Sequence, residues 1–147
     1  MTGTEIIQIV TAFIGSLCFG ILFNMRGKKL IAAAVGGLFS WGLFILFNSV
    51  ISSEPLTYFI VAVIISMYSE IMARLLKTPA APVVTTSLIP LIPGGSLYYT
   101  MSSAFESDFS KFIEKAVTTI ELACALALGI IIVTALSQLI FSRVRSK

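Results

Sequence analysis

Five long apolar runs constrain this 147-residue chain more than any other feature. A helix rises about 1.5 Å per residue, so about 20 apolar residues cross the hydrocarbon core of a bilayer. The runs cover residues 6–23, 30–50, 55–76, 80–105 and 112–141. Peptide groups find no water at that depth, so each run must be helical. The expected fold class is all-α integral membrane: one domain over 1–147, a bundle of five transmembrane helices, the fourth broken at a Pro/Gly motif.

Composition agrees. The chain is 57% hydrophobic and 12% charged, with a mean hydropathy of +1.01. Soluble domains carry about twice that charge, and this chain has too little polar surface to cover a water-soluble fold. A net charge of +3, with basic residues in small groups at segment ends, excludes a nucleic-acid partner. The hydrophobicity excludes disorder. Histidine is absent, and with it go zinc sites of the HExxH type and serine–histidine triads. Cys18 and Cys124 lie inside apolar runs without metal-ligand spacing and read as small apolar packers. No cofactor or metal is expected. No acid pair stands one turn apart on a helix, so an enzyme is not expected either.

Charge sets the orientation. Positive residues gather on the cytoplasmic side of membrane proteins. Placing the turn after the first run inside, and alternating, collects Arg26, Lys28, Lys29, Arg74, Lys77, Arg143, Arg145 and Lys147 there. Only Lys111 and Lys115 remain outside, near Glu106 and Asp108. The N-terminus is then outside and the C-terminus inside. Glu5 before the first run, with the basic residues after it, reads as an uncleaved helix rather than a secretion signal. A rival topology makes the fourth segment a re-entrant hairpin, which would put the basic tail outside, against the charge rule.

The fourth segment carries the chemistry. Pro90 and Pro93, followed by Gly94 and Gly95, end a helix. About ten residues lie on either side, which places the break near the membrane midplane. Unwound backbone there must face protein or a wet cavity, and transporters build substrate sites this way. A second half-helix starting near Gly95 or Ser96 would point free amides and the positive end of its dipole into the gap. A carboxylate suits that charge, and the bare glycines let it approach. Ser87, Ser96, Tyr98 and Tyr99 offer hydroxyls. The expected substrate-binding set is therefore Pro90, Pro93, Gly94, Gly95, Ser96, Tyr98, Tyr99 and Ser87. The alternative is a proline kink tolerated in a packed helix.

Glu70 and Arg74 stand one turn apart on the third helix, in the favourable order for an ion pair. Glu70 falls about 7 Å from the centre of that span, where an ionisable group is a functional candidate. It could take up the proton that drives export, or pair with Arg74 to lower its own cost. Glu121 falls near the outer interface, where a carboxylate costs little. Trp41 and Asn48 read as packing and helix-end residues. Small residues four apart (Ala33 and Gly37, Gly36 and Ser40, Ala123 and Ala127, Ala125 and Gly129) allow close helix packing.

Three pieces of the sequence resemble the small-subunit branch of the threonine/serine exporter family. They are Gly20-Ile21-Leu22-Phe23-Asn24 with the basic turn and the second helix up to Trp41, then Ser69-Glu70-Ile71-Met72-Ala73-Arg74 running into Lys77 and Pro79, then Ile89-Pro90-Leu91-Ile92-Pro93-Gly94 with the tyrosines after it. They stand in family order. The resemblance implies half of an exporter in the bacterial inner membrane, completed by a larger subunit of the same family, that moves threonine and serine or, in some members, succinate. Pro90, Pro93 and Gly94 match the motif, while Gly95-Ser96 is this chain's own version. Five helices leave few walls for a two-gated pathway, so the expected partner is that larger subunit or a second copy. The expected mechanism is proton-coupled alternating access, with Glu70 and Arg74 as the coupling candidates. The competing readings are a dicarboxylate exporter subunit, and a scaffold or small pore that transports nothing by coupling.

Overall fold

The computed structural model of the chain describes residues 3–105 and 109–145, with side chains up to Leu139. Glu106, Asp108 and Lys147, and the side chains of Arg143 and Arg145, lie outside the described residues. Every regular element is a helix: α1 (Gly3–Leu22), α2 (Lys28–Asn48), α3 (Glu54–Leu75), α4 (Ala80–Leu88), a 3₁₀ turn (Ile89–Leu91), α5 (Gly94–Phe105) and α6 (Phe109–Arg145). Four of them, α1, α2, α3 and α6, are long and apolar enough to cross a membrane. The pair from Ala80 to Leu91 and from Gly94 to Phe105 makes a fifth crossing if taken as one span. The fold is an all-α membrane bundle whose fourth member is broken.

The outer ends of the broken segment fall at 80 and 105 as expected, and the other helix ends differ from the apolar runs by one to four residues, for local reasons. Asn24 ends α1 in the left-handed conformation at φ 57°. Its amide reaches back to the Ile21 carbonyl at 2.9 Å, and the Met25 amide reaches Gly20 at 2.9 Å. Lys77 does the same for α3 at φ 50°, with Thr78 N–H on Ala73 O at 2.9 Å and Lys77 N–H on Arg74 O at 3.2 Å. Both are Schellman caps, which satisfy carbonyls that a helix end would otherwise leave open. Apolar content alone does not show where such a cap falls.

Small residues let α2 sit at the centre. Ala32, Ala33, Ala34, Gly36, Gly37 and Ser40 are all buried. A Cβ on Gly36 would collide with the Ser87 side chain of α4, and one on Gly37 with the Ser16 side chain of α1. Two neighbours also donate to α2 carbonyls: Tyr68 OH to Ala32 at 2.9 Å and Ser87 Oγ to Ala33 at 3.3 Å. The expected small pairs of α2 thus hold. On α6, Gly129 is buried, whereas Ala123 and Ala127 are exposed. Cys18 and Cys124 are free and exposed, not core packers.

The direction of α6 bears on the topology of the broken pair. Gly129 packs on α3 at Phe59, Ala62 and Val63. Further along both helices, Leu136 and Ser137 share a cleft with Glu70 and Arg74. Sequence position rises together, so α3 and α6 run parallel. The connection between them must return the length of the bundle, and α4 and α5 are its helices. A hairpin returning to its own side would leave α6 antiparallel to α3.

The Gly129 contact tests this packing. A Cβ there would lie 2.7 Å from Ala62 Cβ and 3.0 Å from the Phe59 carbonyl. Gly129→Val should overpack the seam by about 1–3 kcal/mol, read as earlier thermal unfolding in detergent. Gly42→Val, which enters open space, should leave the midpoint unchanged.

Candidate functional site

Serine and threonine inside a lipid-spanning helix commonly donate to a carbonyl one turn back. This chain follows that habit repeatedly. Thr57 bonds Ser53 at 3.2 Å, Thr100 bonds Ser96 at 2.8 Å, Ser103 bonds Tyr99 at 2.7 Å, and Thr134 bonds Ile130. Three buried hydroxyls have no partner for Oγ among the described residues: Ser16, Ser66 and Ser69. Unpaired buried hydroxyls cost about 1–3 kcal/mol unless water or a ligand meets them.

Two of the three lie beside the buried carboxylate of α3. Ser66, Ser69 and Glu70 stand at i, i+3 and i+4, so they share a face. Ser66 and Ser69 are fully buried and Glu70 is 8% exposed. Arg74 donates from Nη2 to Glu70 Oε2 at 3.0 Å. The arginine head is more open than the carboxylate, as expected for a side chain that reaches toward water from a helix end.

Glu70 lines two clefts. One, of about 280 Å³, lies among α3, α4 and α6 and includes Thr85, Leu88, Ile92, Leu126 and Thr134. The other, of about 270 Å³, lies between α3 and α6 and includes Met67, Arg74, Val133, Leu136 and Ser137. The walls are otherwise mostly aliphatic. A carboxylate in such surroundings carries more electrostatic weight than it would in water.

The first cleft runs from Glu70 to Ile92, inside the broken segment. The break itself follows from its residues. Pro90 sits in a 3₁₀ turn, Ile92 is extended, and α5 restarts at Gly94 with a bend of 58°. Leu91 is fully buried in one cluster with Tyr58, Val61 and Ile65, which places the break beside the stretch from 58 to 65 of α3. Gly94 N–H turns back to Ile92 O at 2.6 Å, and Leu97 N–H reaches Pro93 O at 3.0 Å. The Gly95 and Ser96 amides open the first turn of α5.

The residues expected to bind substrate are divided among three places. Gly94 and Gly95 are exposed, and Pro93 and Ser96 are half-buried beside them. Tyr98 and Tyr99 pack edge to face, with ring centroids 5.6 Å apart, and point outward with 68% and 63% of their surface exposed. Ser87 faces the opposite way, into the α2 seam. Half-buried Pro90 holds the turn between them. Glu70 and Arg74 share neither group's location: Glu70 lines the cleft that reaches Ile92, and Arg74 lines the other cleft, between α3 and α6. Glu121 is exposed on α6, about 12 Å from Gly129 toward the start of α3.

The buried serines are the residues that sequence reasoning missed. Polar residues at 66, 69 and 70 on one face of a largely apolar helix were the available signal. Ser66→Ala and Ser69→Ala should leave the thermal unfolding midpoint unchanged or raise it, because each removes an unpaired hydroxyl. A fall of several degrees would mean that a bond inside the protein was lost.

A family model described as "Threonine/Serine exporter, ThrE" matches residues 8–136, most of the chain and all but its two ends. Comparison with curated proteins and with solved structures finds no match.

Proposed function

The chain belongs to the threonine/serine exporter family, and from that footing we propose that it is a small subunit of a proton-coupled exporter of threonine, serine or a similar small carboxylate. It works in the bacterial inner membrane by alternating access, with its N-terminus outside. The observation that carries the reading is Glu70: a buried carboxylate, beside two unpaired hydroxyls, lining the cleft that reaches the broken helix. A membrane protein keeps such a group where it does work. Glu70 takes up and releases the driving proton, and Arg74 stands one turn away as its ion-pair partner.

The substrate carboxylate docks on the first amides of α5 at Gly95 and Ser96. Nothing lies within 4 Å of where a Cβ on Gly94 or Gly95 would sit, so a ligand can approach both. The orientation is supported by the ends of the helices. Met25, in the turn with Arg26, Lys28 and Lys29, shares a buried cluster with Ala73, close to Arg74 and Lys77. Both basic turns therefore mark one end.

A partner covers α5. That helix packs on α6 and on no other helix to a comparable extent among the described residues. Open amides at mid-membrane depth would cost several kcal/mol against lipid. A larger subunit of the same family supplies the missing wall, and a second copy is the alternative that the same test separates.

The test is efflux of labelled threonine, serine and succinate from vesicles, with and without that larger subunit. Gly94→Val and Gly95→Val fit this chain sterically, so lost transport would report a lost ligand contact. Charge-assisted hydrogen bonds contribute about 1.5–3 kcal/mol, so efflux should fall about tenfold or more. Normal efflux from correctly inserted variants would remove the carboxylate site. Glu70→Gln keeps an acceptor for Arg74 and cannot cycle a proton. It should abolish the dependence of efflux on a pH gradient. If that dependence survives, the pair is structural.

A further inference from the structure

The two Schellman turns build a second site at the basic end. Asn24 and Lys77, both left-handed, reverse the chain after α1 and α3. Met25 is buried between them, packed with Ala73 and Val83. That anchor brings Arg26 beside Thr78, far apart in sequence, across a polar pocket of about 410 Å³. Asn24, Arg26, Lys29 and Thr78 supply its polar wall, and Phe23 and Pro82 its apolar rim. No acidic residue lines it. Neither Arg26 nor Lys29 has an ion-pair partner among the described residues.

We propose that this pocket binds a phosphate group, carried by the headgroup of an anionic phospholipid. Two cations that converge on one concavity repel each other, and an anion between them relieves that repulsion. A guanidinium fork matches phosphate oxygens, and an ammonium adds a point charge. The Asn24 amide and Thr78 hydroxyl donate to the remaining acceptors. The rim explains why a lipid is the carrier. Phe23 and the neighbouring Leu22 are exposed and continue onto the apolar surface of α1, along which an acyl chain can lie. Basic pockets between helices at the cytoplasmic interface hold lipid headgroups in this manner. The site is separate from the Glu70 clefts and does not depend on the exporter reading.

Native mass spectrometry of the full chain, exchanged between phosphatidylglycerol and phosphatidylcholine micelles, tests it. The unaltered chain should retain one phosphatidylglycerol at least about tenfold more than phosphatidylcholine. Arg26→Gln with Lys29→Gln should lose that preference. Lys28→Gln with Lys77→Gln removes the same charge from the same end without touching the pocket lining, and should keep it. A second arm adds inorganic phosphate to delipidated protein and follows thermal unfolding. Stabilisation there, lost in the Arg26/Lys29 variant and without lipid retention, would assign free phosphate to the same pocket. The proposal is overturned if the Arg26/Lys29 variant retains lipid and phosphate like the unaltered chain. It is equally overturned if the Lys28/Lys77 control loses as much, since bulk charge would then be the cause.

Discussion

A peptide group without a hydrogen-bond partner costs several kcal/mol in hydrocarbon. That cost orders this molecule. It turns each apolar run into a helix, closes α1 and α3 with caps that use left-handed Asn24 and Lys77, and directs hydroxyls such as Thr57 and Ser103 back onto carbonyls one turn earlier. The places where the rule is relaxed then stand out. They are the first amides of α5 and the three unpaired serines, and two of those serines flank the buried carboxylate of α3.

Packing follows from the same economy of polar groups. Without a hydrophobic drive between helices in lipid, close contact and interhelical hydrogen bonds must hold them together. The run of alanines and glycines in α2 supplies both. It admits Ser16, Tyr68 and Ser87 from three neighbours, and the last two donate to consecutive carbonyls. Ser87 illustrates how one residue type serves different ends. Its hydroxyl lies three residues before Pro90 and suits a polar ligand equally well, yet it is used to join α4 to α2.

Most of the fold was legible in the sequence. Apolar length marked the helices, and Pro90 to Gly95 marked the break. The glycines of α2 and Gly129 marked two seams. The site was legible only in pieces. Glu70 and Arg74 could be paired because their spacing is local. That Glu70 shares a cleft with Ile92 and Thr134 depends on how three helices cross, and no local pattern encodes it. Ser66 and Ser69 were hidden for a related reason: a serine is tolerated almost anywhere in a helix, and only three-dimensional accounting shows which one lacks a partner. The pocket at Arg26 and Thr78 required two caps to meet, which sequence spacing does not reveal.

The tight contact of Gly129 with Ala62 has a mechanical consequence. It is a near point of closure between two parallel rods, with bulkier side chains above and below. Two rods that approach each other most closely at one such place tilt most readily about it. If α6 turns about it, the end that carries Ser137 swings away from Arg74 while the end bonded to α5 through Thr119 and Thr100 swings the other way. With arms of about 10–15 Å on each side, a tilt of a few degrees shifts both ends by about an ångström in opposite senses. The missing methyl group at Gly129 thus sets the point about which such a tilt would turn.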